Sequence, residues 1–163
     1  MSTAVRAFIG VGANLGDAPA TVRAALQALG RLPDTRLLDC SSLYRSAPVE
    51  ASGPDFINAV AELHTALPAL ALLHLMQAIE QDCGRTRSVR NAPRTLDLDL
   101  LSYGDAVLRS EELTLPHPRA HLRAFVLLPL AEIDPLLKLP GLGPIGPWIE
   151  CSAGQAIERL DVN

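Results

Sequence analysis

The segment Thr95-Leu96-Asp97-Leu98-Asp99-Leu100-Leu101 constrains the fold more than any other part of the chain. Leucines alternate with polar residues, which is the period of a strand with one buried face. In that conformation Leu96, Leu98 and Leu100 point into a core, and Asp97 and Asp99 point the other way, about 7 Å apart along the strand. A sheet must therefore receive this strand, and an apolar layer must lie behind it.

The rest of the chain supplies both. Ala4–Val11 is apolar and partly β-branched, and the spacing predicts a first strand that runs into a tight turn at Gly10-Val11-Gly12. Asp17 caps a predicted helix with Pro19 in its first turn, Val22, Leu26 and Leu29 on one stripe, and Gly30 at its end. Leu37–Arg45 reads as a second strand, Ser46–Asp55 as a turn-rich loop and Phe56–Thr65 as a third strand. Pro68 opens a second helix with a stripe of Leu72, Leu75, Met76 and Ile79, and Gly84 closes it. After a polar loop, Gly84–Pro93, comes the Thr95–Leu101 strand, which Gly104 is expected to turn into a hairpin with Ala106–Leu108. Leu122–Glu132 has a helical pattern interrupted by Pro129, Leu139–Pro147 is a turn-rich connector, and a short helix is expected after Gly154. Strand–helix–strand–strand–helix–strand is the ferredoxin-like βαββαβ order, an α+β fold whose helices are expected on one face of a mostly antiparallel sheet. With no repeat and no linker, the chain is expected to be a single domain over 1–163, with a core at about 4–130 and a C-terminal extension at 131–163.

Several functions are excluded early. No apolar run approaches the ~20 residues of a membrane helix, and the N-terminus reads as a strand rather than a signal peptide. Cys40, Cys83 and Cys151 form neither a metal pattern nor a disulfide framework, so buried reduced thiols and a cytoplasmic location are expected. There is no Walker A motif, no complete dinucleotide fingerprint in Gly10–Gly16, and no nucleophile elbow. His64, His74, His117 and His121 lack zinc spacing. A net charge of −4 and 4% aromatics argue against nucleic-acid binding.

Within this acidic chain Arg85, Arg87, Arg90 and Arg94 crowd together without one acidic neighbour. Lys138 is the single lysine among fourteen basic residues, so a compositional bias explains arginine over lysine but not the clustering. Asp97 and Asp99 follow at once. Taken alone, two carboxylates on one strand face are slightly better explained as a solvated face. Beside a row of arginines they become a site for Mg²⁺ and polyphosphate, because Mg²⁺ takes oxygen ligands and arginine grips phosphate bidentately. Pro93 fixes the chain before Arg94, and Gly84–Asn91 is expected to act as a movable arginine lid. Gln77 and Glu80 share a helix face that is either a polar solvent face or turned toward this site. His117, stiffened by Pro116 and Pro118, is either an exposed loop histidine or a phosphate donor.

Gly12-Ala13-Asn14-Leu15-Gly16, Ser41-Ser42-Leu43-Tyr44-Arg45-Ser46, Phe56-Ile57-Asn58-Ala59, Ile79-Glu80 before Gly84-Arg85, Pro93–Leu101 and Leu115-Pro116-His117 occur in this order. Together they make the chain resemble the 6-hydroxymethyl-7,8-dihydropterin pyrophosphokinases of folate biosynthesis, from about Ala4 to Leu130. The resemblance implies transfer of pyrophosphate from ATP to the pterin hydroxymethyl group with release of AMP. It implies two Mg²⁺ ions on Asp97 and Asp99, and catalytic phosphate contacts from Arg85 and Arg94. It implies ATP contacts from Gln77, Glu80, Arg87, Arg90, Leu100, Thr114, His117 and Arg123. It implies a pterin pocket of Ser46, Ala47, Val49, Phe56, Asn58 and Phe125, with Asn58 bonding the ring and the two phenylalanines packing on its faces. ATP and the pterin are the implied partners, nucleic acid and membrane are not, and a monomer is expected. The chain departs from the family pattern at Asn91, where tryptophan is frequent, at Ala47 for a common proline, and at Phe56 for a frequent tyrosine; its arginine loop is one residue shorter than in some relatives.

Two other readings compete: a noncatalytic ferredoxin-like module that binds a small anion, and a kinase that moves one phosphate. Metal-independent binding of an ATP analogue would favour the first, and ADP as product the second.

Overall fold

In the computed structural model, which describes residues 4–47, 54–84 and 96–160, the strands and helices follow one another as β1 (Val5–Ala13), α1 (Ala18–Gly30), β2 (Thr35–Cys40), β3 (Tyr44–Ser46), β4 (Phe56–Thr65), α2 (Ala69–Gly84) and β5 (Asp97–Tyr103). Then come β6 (Leu108–Arg109), β7 (Thr114–Leu115), a 3₁₀ turn at Ala120–Leu122, α3 (Ala124–Ile133), β8 (Lys138–Leu139), β9 (Gly143–Pro144), α4 (Gly146–Cys151) and β10 (Ile157–Arg159). The main sheet runs β10-β3-β4-β1-β5, with β2 also on β4, and every pairing is antiparallel. The α+β fold and the βαββαβ order are therefore observed.

Four details differ from expectation, each for a local reason. Leu37–Arg45 is two strands because Ser41 interrupts the ladder: its Oγ accepts from Val60 N at 2.9 Å, while Ser42 N turns away to the Glu132 carboxylate. The partner of Leu108 is Leu115 on β7, so the small hairpin is β6–β7 and not an extension of β5. Pro129 lies buried inside α3 without ending it, lacking only the N–H that would reach back to Phe125. The segment after Gly154 is a strand, with Ile157 opposite Ser46 and Arg159 opposite Tyr44.

The helices cover both faces of the sheet, not one. On one face Ala7, Ile9, Val11, Ala59, Ala61, Leu98 and Leu100 pack with α1 and α2 through Val22, Leu29, Leu72 and Met76. On the other, Phe8, Val60 and Leu101 pack with α3 through Val126, Leu127 and Leu130, and with Leu137, Leu139 and Ile145 beyond it. β1 is apolar at successive positions because it is buried on both sides. Leu101 reaches the α3 face through a bulge: Ile9 pairs with Leu100 and Phe8 with Ser102, leaving Leu101 as the extra residue. The expected burial of the cysteines fails for Cys40 and Cys151, which are exposed; Cys83 is half-buried, and all three are free thiols. Among the described residues no helix is long and apolar enough to cross a membrane.

Candidate active site

The glycines at the end of β1 decide where a ligand can sit. β1 continues as strand to Ala13, so Gly10 and Gly12 are strand residues and not the expected turn. Gly12 lies between Asp97 on β5 and Asn58 on β4, and Gly10 between Asp99 and Val60. With no side chains on those two positions, the sheet face lies open between the carboxylates and Asn58. A cleft of about 770 Å³ forms over it, lined by Gly10, Gly12, Ser46, Ala47, Phe56, Asn58, Asp97, Asp99, Arg119, Leu122, Arg123, Phe125, Gln155 and Ile157, among others.

Asp97 and Asp99 emerge on this face as the alternation predicts, with Leu96, Leu98 and Leu100 buried behind them. Glu80, from α2, accepts a hydrogen bond from Leu98 N at 2.7 Å. It thereby holds the strand at the residue between the two aspartates. Gln77 is exposed on α2 and lines neither this cleft nor its neighbour.

A second cleft, of about 270 Å³, is lined by Leu73, Leu98, Asp99, Leu100, Glu111, Glu112, Leu113, Thr114, His117 and Pro118. Asp99 belongs to both clefts and marks their junction. His117 follows the cis Leu115–Pro116 bond, donates its backbone N–H to Leu101 O at 2.8 Å, and brings Nε2 to 3.9 Å from Asp99 Oδ1. Its Nδ1 accepts from Arg119 N at 3.1 Å, which assigns the proton of the neutral ring to Nε2. Burial pushes His117 below the usual histidine range; Asp99 opposes this, while Arg123 and Arg119 add to it. At neutral pH the ring therefore presents an Nε2–H donor toward the junction.

At the far end of the larger cleft, Asn58 is buried and donates from Nδ2 to Ser46 Oγ at 2.7 Å. That bond fixes the amide and leaves Oδ1 facing the open strand of Gly12. Phe56 and Phe125 line the same cleft from β4 and α3, and the Arg123 guanidinium lies 5.4 Å from the centre of the Phe125 ring.

The structure thus brings Ser46, Ala47, Phe56, Asn58, Asp97, Asp99, Arg123 and Phe125 to one cleft, and Leu100, Thr114 and His117 with Asp99 to the other. Val49, Arg85, Arg87, Arg90, Arg94, Asn91 and Pro93 lie outside the described residues. Sequence reasoning missed Gly10 and Gly12 as the cleft floor, Arg119, and Gln155. The glycines carry a signal only once the strand register is known, and Gln155 sits in a tail that carries no diagnostic motif.

Among the described residues no three His, Cys, Asp or Glu side chains cluster as a metal cage. Two carboxylates on one strand face are instead the kind of donor set that holds Mg²⁺ jointly with phosphate oxygens and water.

Residues 8–135 match the family model described as 7,8-dihydro-6-hydroxymethylpterin-pyrophosphokinase. The 2-amino-4-hydroxy-6-hydroxymethyldihydropteridine pyrophosphokinase of Pseudomonas aeruginosa is 44% identical over 156 residues, covering 95% of this chain and 96% of that protein. The Haemophilus influenzae protein of the same name is 44% identical over 137 residues, covering 83% and 86%. Among solved structures, wild-type Plasmodium falciparum HPPK-DHPS with pteroate superposes with a TM-score of 0.74 at 13% identity, over 93% of this chain and 43% of that one. At that identity the likeness shows the fold alone, and this chain spans less than half the length of the solved protein.

Proposed function

Because the chain belongs to the 7,8-dihydro-6-hydroxymethylpterin-pyrophosphokinase family, we propose that its two clefts hold the pterin and the nucleotide and that the chemistry occurs where they meet, at Asp99. The activity itself follows from the family: the chain transfers pyrophosphate from ATP to 6-hydroxymethyl-7,8-dihydropterin in folate biosynthesis. The reading of a noncatalytic anion-binding module falls with that membership.

The observation that carries the proposal is the row Asp97–Gly12–Asn58 across three neighbouring strands. It sets a polar ring contact and a carboxylate on opposite sides of a gap that only glycine leaves open. In this reading the pterin packs between Phe56 and Phe125, with its amide edge on Asn58. Its hydroxymethyl group points toward Asp97 and Asp99. The smaller cleft takes the nucleotide, with Thr114 and the β5 backbone at Leu100 beside it. His117 Nε2–H, Arg119 and Arg123 then face the phosphates, and Arg85, Arg87, Arg90 and Arg94 complete the cationic set.

Asp97 and Asp99 would hold Mg²⁺, as two ions with ATP, which would supply charge neutralisation across the phosphates. The chain's own part is mostly positional. Glu80 fixes the Leu98 amide and hence the spacing of the carboxylates, and Ser46 fixes Asn58. The arginines and His117 stabilise charge that builds on the transferred group. The hydroxymethyl oxygen attacks the β-phosphorus, the bond from that phosphorus to the α-bridging oxygen breaks, the hydroxyl proton passes to solvent, and AMP leaves. We take the functional unit to be a monomer of one domain acting in the cytoplasm.

The deciding assay supplies hydroxymethyl-dihydropterin and Mg-ATP and resolves the nucleotide product. AMP in step with pterin diphosphate is expected. ADP would overturn pyrophosphoryl transfer in favour of a single phosphoryl transfer.

A further inference from the structure

α3 begins at the cleft, and its own sequence leaves its N-terminus uncapped. Arg123, at the cap position, makes no side-chain hydrogen bond to the helix. Its neighbours are instead held from the C-terminal segment: Gln155 Oε1 accepts from Ala124 N at 2.9 Å, and Gln155 Nε2 donates to Leu122 O at 2.8 Å. One side chain thus bonds the residues on both sides of Arg123 and supplies the cap that an Asp, Ser or Asn would ordinarily provide.

Gln155 is well placed to act as a clamp because its own backbone is anchored at both ends. Gln155 N donates to Ser152 O at 3.0 Å, and Ser152 is buried against the end of α4. On the other side Ile157–Arg159 pairs with Tyr44–Ser46, and Leu160 N donates to Leu43 O at 2.8 Å. Ile157 lies opposite Ser46, the residue that fixes Asn58. The segment from Ser152 to Leu160 is therefore a strap joining the two walls of the larger cleft: the β3–β4 wall with Ser46, Phe56 and Asn58, and the α3 wall with Phe125.

We infer that Gln155 is a positioning residue for the pterin substrate, setting the gap between Phe125 and the Phe56–Asn58 wall through the strap. This rests on the reading that the larger cleft takes the pterin. Gln155 is itself exposed and packs into neither apolar core, so its removal loosens the α3 entrance without opening a cavity. The smaller cleft shares no residue with the strap, and Arg123, held between the two Gln155 bonds, is the one phosphate-facing residue the strap reaches, so ATP binding is expected to change less than pterin binding.

The test compares Gln155→Ala, Gln155→Glu and Asn58→Ala by steady-state kinetics in both substrates and by thermal melting. Loss of a capping hydrogen bond predicts for Gln155→Ala a rise of about five- to tenfold in KM for the pterin, with a clearly smaller change in kcat and in KM for ATP, transmitted through Arg123. Gln155→Glu keeps an oxygen for Ala124 N–H but loses the donor to Leu122, and is expected to fall between the wild type and Gln155→Ala. Asn58→Ala reports on the cleft assignment itself. If it raises the pterin KM while Gln155→Ala matches the wild type, the inference on Gln155 is wrong and the cleft reading stands. If neither variant moves the pterin KM, both fail. Equal loss in kcat and both KM values together with a lowered Tm would reduce Gln155 to a structural role and also overturn the inference.

Discussion

A methyl group added at Gly12 would test the row Asp97–Gly12–Asn58 more sharply than removal of any polar group in it. A Cβ there would come within 3.1 Å of Asn58 Oδ1, closer than such contacts normally tolerate. The amide cannot easily give way, because Asn58 is 4% exposed and its Nδ2 is bound to Ser46 Oγ at 2.7 Å. Relief requires a shift of a few tenths of an ångström that weakens this bond and moves Oδ1 away from the proposed pterin contact. Two weakened neutral hydrogen bonds, at about 0.5–1.5 kcal/mol each, give roughly 1–3 kcal/mol, or at least about fivefold in affinity. The fold should tolerate the change, since alanine recovers roughly 0.5–1 kcal/mol over glycine in a strand interior. Gly10→Ala is the internal control on the same strand and face, where the new methyl meets only the movable Leu101 side chain at 3.4 Å. The expected result is a pterin KM raised about tenfold in Gly12→Ala and less than about threefold in Gly10→Ala, with Tm within ~4 °C of wild type in both. The KM for ATP should change little. Equal effects of the two substitutions, or a larger effect on ATP than on pterin, would refute the argument.

Asp97→Ala and Asp99→Ala should each leave the fold intact, because both side chains face the cleft, and should lower kcat by about 10³-fold or more; near-normal turnover in either would remove it from the metal site. Glu80→Ala should cost about 1.5–3 kcal/mol in denaturant titration through loss of its bond from Leu98 N, and should lower kcat more than it raises KM for ATP. The reverse pattern, a raised KM for ATP at unchanged stability, would make Glu80 a nucleotide contact instead. Burial pushes the Glu132 carboxyl up, but hydrogen bonds from Tyr44 Oη, Ser42 Oγ and Ser42 N, with Arg159 nearby, outweigh it and hold Glu132 below the usual carboxylate range. A depressed carboxyl stabilises the fold above its unfolded pKa and loses that contribution as pH falls through the folded value. Stability measured from about pH 5 downward should therefore decline less steeply in Glu132→Gln than in the wild type, and identical slopes would contradict this account.

What was legible in the sequence follows how local each signal is. The alternation in Thr95–Leu101 fixes which side the aspartates take, and the order of elements fixes the topology of the sheet. The Asp17 cap is local too, and Asp17 Oδ1 accepts from Ala20 N as expected. The break at Ser41 was not legible, because a serine that replaces a ladder bond looks like any other serine in a strand until its partner is known. β10 and Gln155 were hidden for the same reason: their partners are Ser46 and Ala124, far away in sequence. The two-sided cover could have been read. Ala7, Phe8 and Ile9 are successive apolar residues, which a strand with one solvated face does not need.

The position of the site follows from where that second cover stops. On the α3 face, β1 presents Phe8, then Gly10, then Gly12. β4 presents Val60, Asn58 and Phe56, and β5 presents Leu101, Asp99 and Asp97. The first residue of each series packs under α3 or the segments beyond it, and the later ones line the cleft. β1 and β5 thus change from core to small or polar residues at the Gly10–Asp99 pair, where Val60 of β4 is still core. β4 follows one pair later at Asn58, so all three have changed by the row Asp97–Gly12–Asn58 near the start of α3 at Ala124. None of the three changes identifies a site by itself: the glycines suggest a turn, the asparagine is one polar residue in a predicted strand, and the alternating aspartates suggest a solvated face. Antiparallel register puts Gly12 between Asp97 and Asn58, and that adjacency turns three weak signals into one binding surface. It also makes α3 and the strap that caps it part of the site's construction, since the length of face left open depends on where that helix is made to start.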